Sequence, residues 1–106
     1  MGRTSLRRKR AKRETWKRHL LKQQHQLCAL CGCRFPTEAD GPRFFVRGYL
    51  PTFDHIVPRS MGGSDTLANL QIVHSTCNRR KANTLAERVE VSMPRVFRPR
   101  LTVYSQ

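Results

Sequence analysis

Phe53-Asp-His-Ile-Val-Pro-Arg-Ser-Met-Gly-Gly-Ser-Asp-Thr-Leu-Ala-Asn-Leu-Gln-Ile-Val-His-Ser-Thr-Cys-Asn-Arg-Arg-Lys81 is the stretch whose reading decides the fold. Residues 50–57 read as a strand that ends at Pro58, and residues 69–73 as a second strand of alternating type. The loop between them carries the turn pairs Gly62-Gly63 and Ser64-Asp65, so the two strands are expected to close as a hairpin. Ser75 then stands as an N-cap, with a helix expected over residues 76–89. Strand, loop, strand and helix in that order predict a small α+β domain.

A core of this size is marginal without a staple, and the cysteines offer one. Cys28-Ala-Leu-Cys31 has the C-x-x-C spacing that lets two thiolates on a tight knuckle grip one metal. Its match is His74-Ser-Thr-Cys77, an H-x-x-C pair at the end of the quoted stretch. Three sulfurs and one imidazole suit a tetrahedral structural zinc. Two disulfides would need a secreted chain, and nothing marks this one as secreted. A redox C-x-x-C would leave the second pair unexplained. Cys33 reads as a free thiol.

Further out, the flanks are basic. The 106 residues hold 21 Lys and Arg against 7 acids, a formal charge of +14. Of that charge, +9 falls within residues 1–22. Residues 5–26 read as a helix with Trp16, Leu20 and Leu21 among its sparse apolar positions. Its Arg7 to Arg13 part has almost no apolar face and is expected to fray without nucleic acid. His19 and His25 are expected at its surface. Residues 35–48 read as a loop with one short strand near residues 44–47. The stretch after Arg88 is basic and holds Pro94 and Pro99; Met61 and Met93 read as incidental. The expected division is a basic arm over 1–26, a zinc-stapled domain over 27–86 and a basic extension over 87–106.

This charge points to a polyanionic partner, nucleic acid ahead of an anionic membrane surface. No apolar run exceeds five residues, which excludes a transmembrane helix, and no apolar segment follows the basic start as in a secretory signal. A cytoplasmic location is the expectation.

Four polar residues in the quoted stretch are not needed by a zinc knuckle: Asp54, His55, Asn69 and Asn78. Phosphodiester hydrolysis needs a base for water, a hard cation and oxygen ligands for that cation. Histidine titrates near neutral pH and can be the base. Asp54 and Asn78 offer oxygens, which suit magnesium or manganese rather than zinc. Neighbours on a strand face opposite ways, so Asp54 and His55 can share a centre only where the strand twists or ends.

Taken together, the Asp-His pair, the Gly-Gly loop, the Asn-Leu and the Cys-Asn-x-x-Lys ending resemble the HNH endonuclease family, whose core is a ββα-metal (His-Me) finger. With Cys28-x-x-Cys31 the likeness covers residues 27–83 and matches the zinc-stapled branch. It implies His55 as general base, Asp54 and Asn78 as ligands of the catalytic cation, and Asn69 as the asparagine that holds the loop and orients His55. The chain would thus be a His-Asn-Asn variant, with His74 where a cysteine is more usual. Arg59, Arg79, Arg80 and Lys81 are expected to contact DNA. The implied activity is metal-assisted DNA hydrolysis of modest sequence preference, leaving 5′-phosphate and 3′-hydroxyl ends. Small proteins of this kind resemble those of phage DNA-packaging modules and mobile elements. Terminase proteins are therefore expected partners, the chain a monomer or weak dimer, and the location the host cytoplasm. The reading from another class is a non-catalytic zinc-dependent nucleic-acid-binding module, which would not need oxygen ligands beside a histidine.

Overall fold

The computed structural model describes residues 2–42, 45 and 47–99. Helix α1 spans Gly2–Gln23, strand β1 Pro51–His55, strand β2 Leu70–His74 and helix α2 Ser75–Lys81. The strands pair antiparallel, with Pro51 opposite His74 and His55 opposite Leu70. The hairpin and its following helix make this the small α+β fold expected, with β2 displaced by one residue from the predicted strand.

The differences lie at the ends of elements. Helix α1 starts at Gly2, so the fraying expected over Arg7 to Arg13 is not what the structure shows: the stretch is helical and exposed. The helix stops at Gln23 rather than residue 26, because His25 and Gln26 both take left-handed φ angles of 55° and 63°. Gln24 then does a strand's work. Its amide donates to the Ile72 carbonyl at 2.8 Å and accepts from the Ile72 N–H at 2.8 Å, covering the open edge of β2. The strand expected near residues 44–47 falls mostly outside the described residues, and Arg47–Tyr49 forms a 3₁₀ turn.

Helix α2 is half its expected length. It ends at Lys81, where Ala82 has φ 52° and the Thr84 hydroxyl donates to the Lys81 carbonyl at 2.7 Å. Asn83 and Thr84 are poor helix formers, and the chain beyond them is drawn back to the core. The Val89 N–H reaches the Leu30 carbonyl, and Met93 and Phe97 are fully enclosed. Met93 is therefore a core residue, not an incidental one. The supposed extension completes a core otherwise made of Leu20, Leu30, Phe35, Leu70, Ile72 and Val73. Burying a side chain such as Phe97 contributes about 1.5–3 kcal/mol, a large share for a domain this small.

Candidate metal centre and nucleic-acid cleft

Two centres sit at opposite ends of one unit, the β2–α2 junction. At the first, one donor atom each from Cys28, Cys31, His74 and Cys77 lies within 4.8 Å of every other. The knuckle supplies Cys28 and Cys31, and its return is tight: Gly32 holds φ 76° and donates to the Cys28 carbonyl at 3.0 Å. His74 closes β2 and also caps α2, so the H-x-x-C spacing places Cys77 on the first helical turn beside it.

The donor set fits zinc. The His74 Nδ1 stands 3.3 Å from the Cys31 sulfur and 3.9 Å from that of Cys77. Its Nε2–H donates to the Arg34 carbonyl at 2.9 Å, which fixes the tautomer that leaves Nδ1 to the metal. The Cys28 sulfur accepts from the His74 backbone N–H at 3.4 Å. Three thiols this close cannot all ionise unaided. Hydrogen bonds from Cys31 and then Cys77 hold Cys28 below the usual thiol range, and that same Cys28 sulfur pushes Cys31 and Cys77 above it. A divalent cation would resolve the conflict by taking all three as thiolates. Cys33 lies outside this set, buried as a free thiol.

The second centre is a cleft of about 160 Å³ at the far end of the hairpin, lined by Asp54, His55 and Asn78 among others. Strand β1 ends at His55, and there the two adjacent side chains do reach one space. Asp54 is only 4% exposed; its Oδ1 accepts from Lys81 at 3.2 Å and its Oδ2 from Gln71 at 2.8 Å. Asn78 sits one residue past the last sulfur, on the turn of α2 that faces the cleft. Its amide nitrogen lies 3.5 Å from the Phe53 carbonyl, the partner found among the described residues, so the amide oxygen can serve a cation.

Lys81 corrects the expectation that grouped it with Arg79 and Arg80. It is 2% exposed, and its ammonium donates to Asp54 and to the His55 carbonyl at 2.7 Å. A side chain so enclosed cannot clamp a phosphate. Arg79 and Arg80 are exposed on α2, as a contact with nucleic acid requires. Spacing held the signal: Lys81 stands four residues after buried Cys77, on the inner face of α2.

Asp65 carries no signal of its own in the sequence. Its Oδ1 lies 2.6 Å from the His55 Nε2 and 2.7 Å from an Arg59 nitrogen. First His55 and then Arg59 hold this carboxyl below its usual range. A carboxylate only accepts, so Nε2 of His55 carries a proton and Nδ1 is the basic atom. Arg59, expected at DNA, is 68% exposed in this pair and lines the cleft as well.

Asn69 lies outside the cleft. Its amide oxygen accepts from the Val57 N–H at 2.9 Å, while its nitrogen donates to the carbonyls of Val57 at 3.0 Å and Ser64 at 2.8 Å. It staples the loop that carries Asp65. Gly63 lets the loop close: a Cβ there would meet the Val57 carbonyl oxygen at 1.7 Å.

Hairpin, short helix and a Cys₃His cluster define a zinc-finger-like α+β domain with a polar cleft beside it. A sequence model of the HNH endonuclease family matches residues 28–84, more than half the chain, and the chain belongs to that family. Searches of curated proteins and of solved structures gave no match. Family membership gives a nuclease or nucleic-acid-binding role with DNA as the ligand. Among the described residues no helix is long and apolar enough to cross a membrane.

Proposed function

We propose that this protein is a divalent-cation-dependent DNA endonuclease acting at the cleft of Asp54, His55 and Asn78. The observation that carries the reading is their convergence on one cleft in a chain of the HNH family. Asp54 and Asn78 would hold the cation through oxygen, a donor set suited to magnesium or manganese. Bound there, it supplies charge neutralisation at the phosphoryl oxygens. Each carboxylate oxygen has two lone pairs, so the bonds from Lys81 and Gln71 leave Asp54 acceptor capacity.

His55 takes a proton from water at Nδ1 as that water attacks the phosphorus in line. The bond from phosphorus to the 3′ oxygen breaks on the opposite side, and the 3′ oxygen leaves as a hydroxyl with a proton from solvent, the 5′ side keeping the phosphate. Asp65, across the ring at Nε2, fixes the tautomer and stabilises the imidazolium that results. Asn69 is a positioning residue, acting through the loop. Arg79 and Arg80 contact flanking phosphates from the exposed side of α2. The hydrolytic domain spans residues 27–86 between a DNA-contacting arm over 1–26 and an extension over 87–106, whose Met93 and Phe97 pack against it. In this reading the His-Asn-Asn set is a variant of the family's usual one. A place beside phage packaging (terminase) proteins rests on the family resemblance alone.

One observation favours the second reading, a non-catalytic binding module: Asp54 already has a cation, Lys81, at its carboxylate. Plasmid cleavage separates the two. Zinc-loaded protein should convert supercoiled DNA only when magnesium or manganese is added. His55→Ala should retain zinc and DNA affinity while the rate falls about 10²–10⁴-fold. Excess cation should partly rescue Asp54→Ala but not His55→Ala. Wild-type protein that binds DNA and cuts none with any divalent cation would establish the binding module instead.

A further inference from the structure

A second hollow lies on the other side of His55. It has a volume of about 360 Å³ and runs between α1 and β1. Trp16 from α1 and Phe53 from β1 form its apolar walls, with Arg13 and Arg59 beside them. Its size falls in the range of sites that hold small molecules, about 300–1,000 Å³.

Three features constrain what could fill it. The groove shares Phe53, His55 and Arg59 with the catalytic cleft, so any occupant adjoins whatever lies there. Its net charge is cationic: the acid among its lining residues, Asp65, is paired with Arg59, which leaves Arg13 as the unmatched charge of the lining. Trp16, the chain's single tryptophan, is half-buried in a helix that is exposed from Leu6 to Thr15. The exposed Lys12 ammonium sits over its ring, 4.6 Å from the centroid, a cation–π contact that a stacking base would displace. A flat aromatic wall, a cationic rim and continuity with a phosphate site match one chemistry, a nucleobase attached to its backbone.

We propose that this groove receives an unstacked base of the DNA strand, next to the phosphate in the cleft, with Trp16 as its stacking platform. The position of that phosphate rests on the proposed nuclease function. A base in a regular duplex is stacked and paired and cannot enter, so the groove gives a preference for single-stranded or locally opened DNA. Arg13, the cation of the groove not engaged by Asp65, pairs with a phosphate beside the base.

Trp16 is its own reporter. The zinc-loaded protein, in buffer without added magnesium or manganese, is titrated with a 12-nucleotide oligo-dT strand and with the oligo-dT·oligo-dA duplex. Tryptophan emission and the anisotropy of labelled DNA are read together. Saturable quenching by the single strand is expected, with far less quenching at equal occupancy by the duplex. Trp16→Leu, which keeps an apolar contact to the core, should lower single-strand affinity about 5- to 150-fold, the effect of losing one stacked base, and duplex affinity little. Single-strand binding without quenching overturns the proposal even if Trp16→Leu fails to fold. Equal quenching by duplex overturns it too, as does an unchanged affinity ratio in folded Trp16→Leu. Quenching that persists in a protein shown to cut no DNA would uphold the groove while removing the nuclease reading.

Discussion

Lys81→Met tests the electrostatic core of the cleft. Methionine nearly matches the lysine stem in volume, so the packing of a 2%-exposed site changes little while the ammonium is lost. Asp54, 4% exposed, then keeps Gln71 as its partner, and the His55 carbonyl loses the donor it has at 2.7 Å. Breaking a buried pair by removing one member costs about 3–5 kcal/mol, because the other charge stays buried and uncompensated. Domains of this kind hold about 5–15 kcal/mol in total. At roughly 4–8 °C per kcal/mol for a domain this small, the melting point should fall by tens of degrees. Urea unfolding of zinc-loaded wild type, Lys81→Met, Asp54→Asn and the double variant measures the pair directly. The double variant should be clearly more stable than the two single losses added together. If magnesium binds at Asp54, it should raise the midpoint of Lys81→Met more than that of wild type, since a cation then meets an unpaired carboxylate. A Lys81→Met protein within about 1 kcal/mol of wild type, with no coupling to Asp54, would refute the reasoning.

Cys77→Ser should yield unfolded or insoluble protein, and wild type should hold about one zinc per chain by metal analysis; a zinc-free preparation that folds and functions fully would contradict this. Gly63→Ala should destabilise the loop by about 1–3 kcal/mol, read by chemical denaturation, because its Cβ has no room against the Val57 carbonyl. Arg34 grips Asp40 through two bonds of 2.8 and 2.6 Å and holds its carboxyl well below the usual range. A depressed value means that the stabilisation is whole above the ordinary carboxylate pKa and is lost as pH falls through the folded one. The stability gap between wild type and Asp40→Asn should therefore be constant above about pH 5 and shrink below about pH 4.

The parts legible in sequence are those whose chemistry sits in short spacings. C-x-x-C with H-x-x-C marks the metal set, and the Gly-rich loop between two apolar runs marks the hairpin. The Asp54-His55 pair at a strand end marks the cleft. What sequence could not show depends on contacts between distant segments. Asp65 reads as turn chemistry until the Asn69 staple closes the loop and brings it to His55. Phe97, in a basic stretch rich in proline, has no periodicity to betray it; its burial is tied to Arg34, whose N–H donates to the Phe97 carbonyl at 2.9 Å. The residue pattern after Lys81 allows helix α2 to continue, whereas Met93 and Phe97 gain more by returning to the core.

The two centres are mechanically one. His74 and Cys77 serve the metal cluster, and Asn78 and Lys81 face the cleft from the same seven-residue helix. So short a helix is marginal on its own, and it has no side-chain cap at its start. Its first turn is fixed by the cluster, and the His74 ring is enclosed by Phe35 at 4.5 Å and Phe97 at 6.3 Å. Its last turn is fixed by Lys81 on Asp54. Loosening either end would free the other: without a metal at the cluster the chain would lose the anchor that sets Asn78 against β1, and without Lys81 the tie that aligns α2 with His55. The Cys₃His cluster therefore bears on the cleft as well as on the fold, since it anchors the helix that carries Asn78 to the cleft beside Asp54.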